Sequence, residues 1–317
     1  MGAKIQGQIL AGDAVREQIS VIVREWRRNT QALADGPYGM ERIPFGIQRM
    51  DSLIDGGAPR GTVVLLSGES GAGAREFMYT SAAINGLASV DPERHDLYYG
   101  DLAGDATLPD EIHYVSFTAG ESQFRWELAQ TMEDDIVEGG LEAITFHDLS
   151  TDFFHDSPLP RDWYADRTPS VKDLRSRTDR EGLLSAFGDL MSDHAADNLV
   201  VIDSLTDLIS ATEDEVSWSD VTYILKGLQK AAHRWNGLVL AHVNHETLSP
   251  ERHGQLVDAV NGTMRFEWES GGSTRARTLV VKQFRGVLSA LEDENIVRFE
   301  TEIDDDGFDI SDVRKIR

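Results

Sequence analysis

The chain of 317 residues carries 55 acidic against 30 basic side chains, a formal net charge of −25, and no cysteine. The missing cysteines exclude disulfides, thiolate zinc sites and a cysteine nucleophile, and no run of about 18 apolar residues offers a membrane span. Hydrophobic residues, 40% of the chain, suffice for a sizeable core, and the opening MGAKIQGQILAGDAVREQ has no continuous apolar stretch of a signal peptide, so a cytoplasmic protein is expected.

Residues 10–34 read as one amphipathic helix, with Ile19, Val21, Ile22, Val23 and Trp26 on its apolar side and Arg24, Arg27 and Arg28 among polar positions. Gly36, Pro37 and Gly39 then break the chain. Segment 1–39 is therefore a packing or oligomerisation helix with its linker, or an extension ahead of a natural start at Met40. The domain proper is expected over 40–317.

From there strands and helices alternate. Thr62–Ser67 is a short apolar run ending in a glycine-rich turn, and Glu76–Ala88 suits a helix. Ile112–Phe117, Ala143–Phe146, Asn198–Asp203 and Gly237–Val243 read as further strands, separated by helices over Gln123–Glu138, ahead of Asn198, and over Tyr223–Trp235. Continuous apolar strands between helices predict an α/β fold with a mainly parallel sheet covered on both faces. Beyond about residue 260 the pattern changes: Gly262–Trp268, Arg277–Lys282 and Ile296–Glu300 read as an antiparallel extension. Residues 89–110 interrupt with Pro92 and Pro109, and 148–180, with Pro158, Pro160 and Pro169, read as an acidic surface insertion. Stretch 101–166 holds 16 acids and 2 bases, a solvated or partner-binding face.

Between the first strand and its helix lies Gly68-Glu69-Ser70-Gly71-Ala72-Gly73-Ala74-Arg75. Strand, glycine turn and helix start are the setting of a phosphate-binding loop, in which backbone N–H groups and the helix dipole face the anion. The usual pattern then places Lys and Ser/Thr where this chain has Ala74 and Arg75. The lysine reaches the β- and γ-phosphates and the hydroxyl holds Mg²⁺. Alanine does neither, and arginine binds phosphate oxygens but is no Mg²⁺ ligand. Loss of one such contact costs about 10²–10³ in rate.

The surrounding residues resemble the KaiC-like branch of the RecA superfamily over roughly residues 40–310. Arg42-Ile-Pro-Phe-Gly-Ile47 and Met50-Asp-Ser-Leu-Ile-Asp-Gly-Gly-Ala-Pro-Arg-Gly-Thr62 are similar to that family's opening pattern. Val200-Val-Ile-Asp-Ser-Leu-Thr206 resembles its Walker B strand, with Asp203 in the metal-supporting place. Val280–Gly286 resembles the late strand whose basic pair reaches a neighbouring subunit's nucleotide. Arg285 fits that pattern, and Lys282 is one residue out of register. The resemblance implies a RecA-like core, ATP or another nucleotide in the loop with Mg²⁺ beside it, and ring or filament assembly. It also implies an acidic pair after Tyr114-Val-Ser-Phe117, where this chain has Thr118 and Ala119; Glu121 is two residues further on.

Lysine, metal hydroxyl and base are thus all replaced, which points to a catalytically degenerate, regulatory or scaffolding pseudo-ATPase that retains nucleotide binding and works through a protein partner or its own oligomer. The alternatives are an active ATPase with relocated groups (Arg75, Glu121 or a neighbour's Arg285) and a recombination or repair accessory that binds DNA. The acidic balance argues against nucleic acid, which leaves a basic footprint. With 24 Arg to 6 Lys, the composition resembles that of salt-in halophiles, whose roughly 1 M salt cuts the screening length to about 3 Å; a basic partner is the rival explanation. His242, Asn244 and His245 close the fifth strand, in a sensor-like place; His242 and His245 with Glu246 are alternatively metal ligands. Trp126 and Trp235 are expected in the core.

Overall fold

The computed structural model describes residues 41–315 except 105, 156, 165–181, 271–274, 285–286 and 288–295. The predicted N-terminal helix, the distal part of the acidic insertion and Arg285 lie outside the described residues.

Strands β1 (Arg42–Ile43) and β2 (Ala58–Pro59) pair in a small ribbon that brackets helix α1 (Gln48–Leu53). The main chain of the fold follows as β3 (Thr62–Gly68), α2 (Ala74–Val90), α3 (Pro92–Tyr98), β4 (Ile112–Ser116), α4 (Glu121–Ala129), α5 (Asp134–Ala143) and β5 (Ile144–Asp148). After the short α6 (Ser150–Phe153) come α7 (Leu183–His194), β6 (Leu199–Asp203), α8 (Leu205–Thr212), α9 (Trp218–Trp235), β7 (Leu238–Asn244) and α10 (Pro250–Asp258). The chain closes with β8 (Gly262–Ser270), β9 (Arg275–Phe284), β10 (Ile296–Asp304) and β11 (Gly307–Lys315).

One nine-stranded sheet runs in the order β11-β10-β9-β8-β3-β7-β6-β4-β5. From β8 to β5 the pairs are parallel, and β8 to β11 are antiparallel, as the change of sequence pattern after residue 260 implies. Side-chain alternation explains the two cores. Val64, Leu66, Leu199, Val201, Leu238 and Leu240 face the layer that holds α2. Val63, Leu65, Val200, Ile202, Val239 and Ala241 face α7, α8, α9 and α10. A strand buried on both faces must be apolar throughout, which is why these runs lack a polar alternation.

Helix α2 is buried over most of its length because α5 crosses it closely. A Cβ at Gly140 would stand 2.8 Å from the Cα of Ala83, so only glycine permits that approach. The opening segment is held by Asp51, fully buried, whose carboxylate accepts the amides of Phe45, Gly46 and Ile47 and the Tyr99 hydroxyl at 2.9–3.2 Å.

The structure differs from the sequence reading in three elements. The single helix expected over Gln123–Glu138 is two, α4 and α5, because the Glu133 amide turns away to the carbonyl of Asp305. Residues 92–98 form α3, with Pro92 in the first turn and Asp91 accepting the Arg94 amide as its cap. Strand β11 completes the antiparallel part and buries Phe308 and Ile310 against the first core.

Candidate functional site

The parallel register aligns strand ends. Gly68 pairs with Asn244, and Ser116 pairs with Asp203. The C-terminal ends of β3, β7, β6 and β4 therefore open on one side, the usual place of a ligand in an open α/β sheet.

The glycine loop lies there between β3 and α2. Gly71 and Gly73 have φ of +72° and +106°, a backbone that side-chain-bearing residues rarely adopt. Gly73 starts α2 and, having no side chain, caps none of its first-turn amides. The loop is fixed by its neighbours. Trp268 on β8 donates its amide to Glu69 Oε2 and its indole N–H to the Ser70 carbonyl, at 3.1 and 3.0 Å. Arg277 on β9 lies over the Trp268 ring, 4.7 Å from its centroid, and donates to the Gly71 carbonyl at 3.1 Å. A carboxylate already serves one loop amide: Ser70 N–H donates to Glu246 Oε2 at 3.1 Å.

Ala74 and Arg75 behave quite differently. Ala74 is buried in the first core, and a Cβ on Gly68 would stand 2.8 Å from its own Cβ. Arg75 crosses to the end of β6, where Nη2 bonds Asp203 Oδ1 at 3.1 Å. The other oxygen, Oδ2, accepts the Tyr114 hydroxyl at 2.9 Å, and His242 Nδ1 lies 3.8 Å from Oδ1. Burial opposes ionisation of Asp203, yet the His242 ring, the Arg75 charge and the Tyr114 hydroxyl together hold its carboxyl below the usual range. Arg75 stays charged, since the adjacent Asp203 outweighs its own desolvation and raises its pKa.

This arrangement does not fit Mg²⁺. The ion asks for oxygen ligands in near-octahedral geometry, but position 75 supplies a guanidinium, and both Asp203 oxygens are engaged. The fixed cation of this site is Arg75 itself. The glycine loop keeps its left-handed backbone at Gly71 and Gly73, and a guanidinium stands beside Asp203.

A small cleft of about 40 Å³ opens beside the pair, lined among others by Arg75, Tyr79, Tyr114, Thr118, Ala119 and Asp203. Thr118 and Ala119 thus do face the site, without a proton acceptor of carboxylate strength. Glu121 instead binds Arg125 one helical turn on, at 2.7 and 2.9 Å. Besides Asp203, the cleft is lined by the carboxylate of Glu127, engaged by the Tyr79 hydroxyl and by Gln123 Nε2.

The end of β7 reaches the loop as its position in the sequence suggested. Asn244 Nδ2 donates to Ser70 Oγ at 3.3 Å, His242 faces Asp203, and His245 and His253 flank Ser67 Oγ at 3.3 and 2.8 Å. His242, His245 and Glu246 thus serve three separate partners and form no common ligand set. Trp235 packs against the second core as expected, whereas Trp126 is 63% exposed and is not a core residue. Sequence reasoning gave Glu246 a different part, as a metal ligand, and missed Trp268, Arg277 and Tyr114. Tyr114 had a signal, two residues before Ser116 on the strand beside Asp203; Trp268 and Arg277 pair across the β8–β9 hairpin and reach the loop only through the long-range parallel pairing of β8 with β3.

No family profile matches the chain, and no curated protein matches it. Among solved structures, a KaiC-like protein from the hyperthermophilic archaeon Pyrococcus horikoshii OT3 superposes with a TM-score of 0.54 at 18% identity, covering 86% of this chain and 100% of that one. The likeness establishes the fold: a RecA-type α/β core of the KaiC-like kind with a C-terminal antiparallel part. No described helix is long and apolar enough to cross a membrane.

Proposed function

We propose that this chain is a pseudo-ATPase of the RecA fold: it offers a phosphate cradle for ATP or another nucleotide as a regulatory or scaffolding signal, does not hydrolyse it, and acts through protein contacts. The observation that carries this reading is the 3.1 Å bond from Arg75 to Asp203, which puts a side-chain cation against the carboxylate that would support a metal. Ala74 removes the phosphate-bridging charge, and Thr118 and Ala119 remove the base. The uncapped start of α2 and the positive φ at Gly71 and Gly73 support retained anion binding.

Calorimetric titration of ATP in about 2–3 M KCl, matched to the acidic composition, tests the reading with Mg²⁺ or with EDTA. Equal affinity in the two buffers is expected, because the built-in cation makes the metal dispensable. A tenfold tightening by Mg²⁺ would overturn it, and no binding in either buffer would remove the nucleotide and leave a scaffold.

A further inference from the structure

We propose that His113, His147 and His194 form a binding site for a divalent transition ion of the zinc type. The three come from β4, β5 and the last residue of α7, and their ligand nitrogens all lie within 4.8 Å of one another. Ring centroids stand 5.2, 4.7 and 4.8 Å apart, close to an equilateral triangle. A tetrahedral ion with Zn–N bonds of about 2.0–2.1 Å holds ligand nitrogens roughly 3.3 Å apart. His113 Nδ1 and His147 Nε2 are already at 3.0 Å, so closure onto an ion asks mainly for a rotation of the His194 ring.

Orientation supports the assignment. On the far side of the His113 ring, Nε2 lies 3.2 Å from Glu111 Oε2 and 3.2 Å from Asn198 Nδ2. With the Nε2–H donated to the Glu111 carboxylate, the Nδ1 lone pair is aimed into the cluster, the outer-shell arrangement that fixes a metal-binding histidine; Asn198 Nδ2, which donates to the His194 carbonyl at 2.8 Å, then only packs beside Nε2. Three imidazoles without a carboxylate among them suit zinc, nickel or copper rather than magnesium or calcium. His147 and His194 are only half-buried, so solvent reaches the cluster and supplies the fourth ligand. A bound ion would tie the end of α7 to the β4–β5 edge of the sheet.

The test titrates the metal-free full chain with Zn²⁺ against a chromophoric chelator, and with Co²⁺ for its intense tetrahedral absorption. One equivalent is expected, with affinity at least tenfold weaker in His147→Ala and in His194→Ala and unchanged in a His245→Ala/His253→Ala control. Zn²⁺ should raise the Tm of the wild type and not of the two variants. Nitrogen NMR of the wild-type rings, which needs no substitution, should show His113 Nδ1 and His147 Nε2 shifting on Zn²⁺ addition. Absence of stoichiometric binding, retention in the His147→Ala/His194→Ala variant, or loss in the His245→Ala/His253→Ala control would each overturn the site.

Discussion

Removing Arg75 tests how strongly the site depends on its built-in cation. At 3.1 Å the gross Coulomb attraction to Asp203 is about 5 kcal/mol at an effective dielectric of about 20. Arg75 is 48% exposed in its side chain and Asp203 only 10%. Breaking a fully buried pair costs about 3–5 kcal/mol, and a fully exposed one is worth about 0.2–1. With one end wet, water replaces part of what Arg75 supplies, and we expect Arg75→Ala to cost about 1–2 kcal/mol, a fall in Tm of about 1.5–3 °C for a domain of this size. Urea unfolding of wild type, Arg75→Ala, Asp203→Asn and the double variant forms a cycle that isolates the pair. Coupling of about 1 kcal/mol is expected, modestly reduced by raising KCl. Coupling below about 0.3 kcal/mol would refute the claim that Arg75 is a fixed counterion.

Three further outcomes follow from the same geometry. Ala74→Lys/Arg75→Thr restores both missing groups and frees Asp203, so calorimetry should show at least a tenfold Mg²⁺-dependent tightening of ATP, whereas Ala74→Lys alone should show none; an equal response in the single variant would contradict this. Glu246→Gln removes a negative charge from beside the Ser70 amide, and ATP should bind about threefold tighter, in line with about 0.3–1 kcal/mol for a charge near a helix start; unchanged or weaker binding would count against it. Burial pushes the Asp51 carboxyl up to about 7 against four hydrogen bonds that pull it down. Between pH 4 and 7 the folded chain then holds a proton the unfolded chain has released, so this group's contribution is full below pH 4 and falls as pH rises to 7, by on the order of 1.4 kcal/mol per unit. The stability of wild type relative to Asp51→Asn should decline across that window, and a flat difference would refute it.

Much of this was legible in the residues. Strands such as Leu199–Asp203 announce themselves because burial on both faces leaves no polar position, and the glycine loop is marked by the φ values that only glycine tolerates cheaply. Positions 74, 75, 118 and 119 could be singled out because each stands in a fixed place along a strand–turn–helix unit. What escaped depends on contacts between distant segments. Nothing local in Arg75 tells that it reaches Asp203, 128 residues on. The break at Gln130–Glu133 depends on Asp305, and the His113–His147–His194 cluster needs the strand register plus the end of α7.

Phosphate release from ATP by the wild-type chain, with Mg²⁺ in about 2–3 M KCl, bears most directly on the central assignment. No release above the buffer rate is expected, and Arg75→Ala should be equally silent. Mg²⁺-dependent turnover by the wild type that disappears in Arg75→Ala would contradict it and make Arg75 part of a working ATPase.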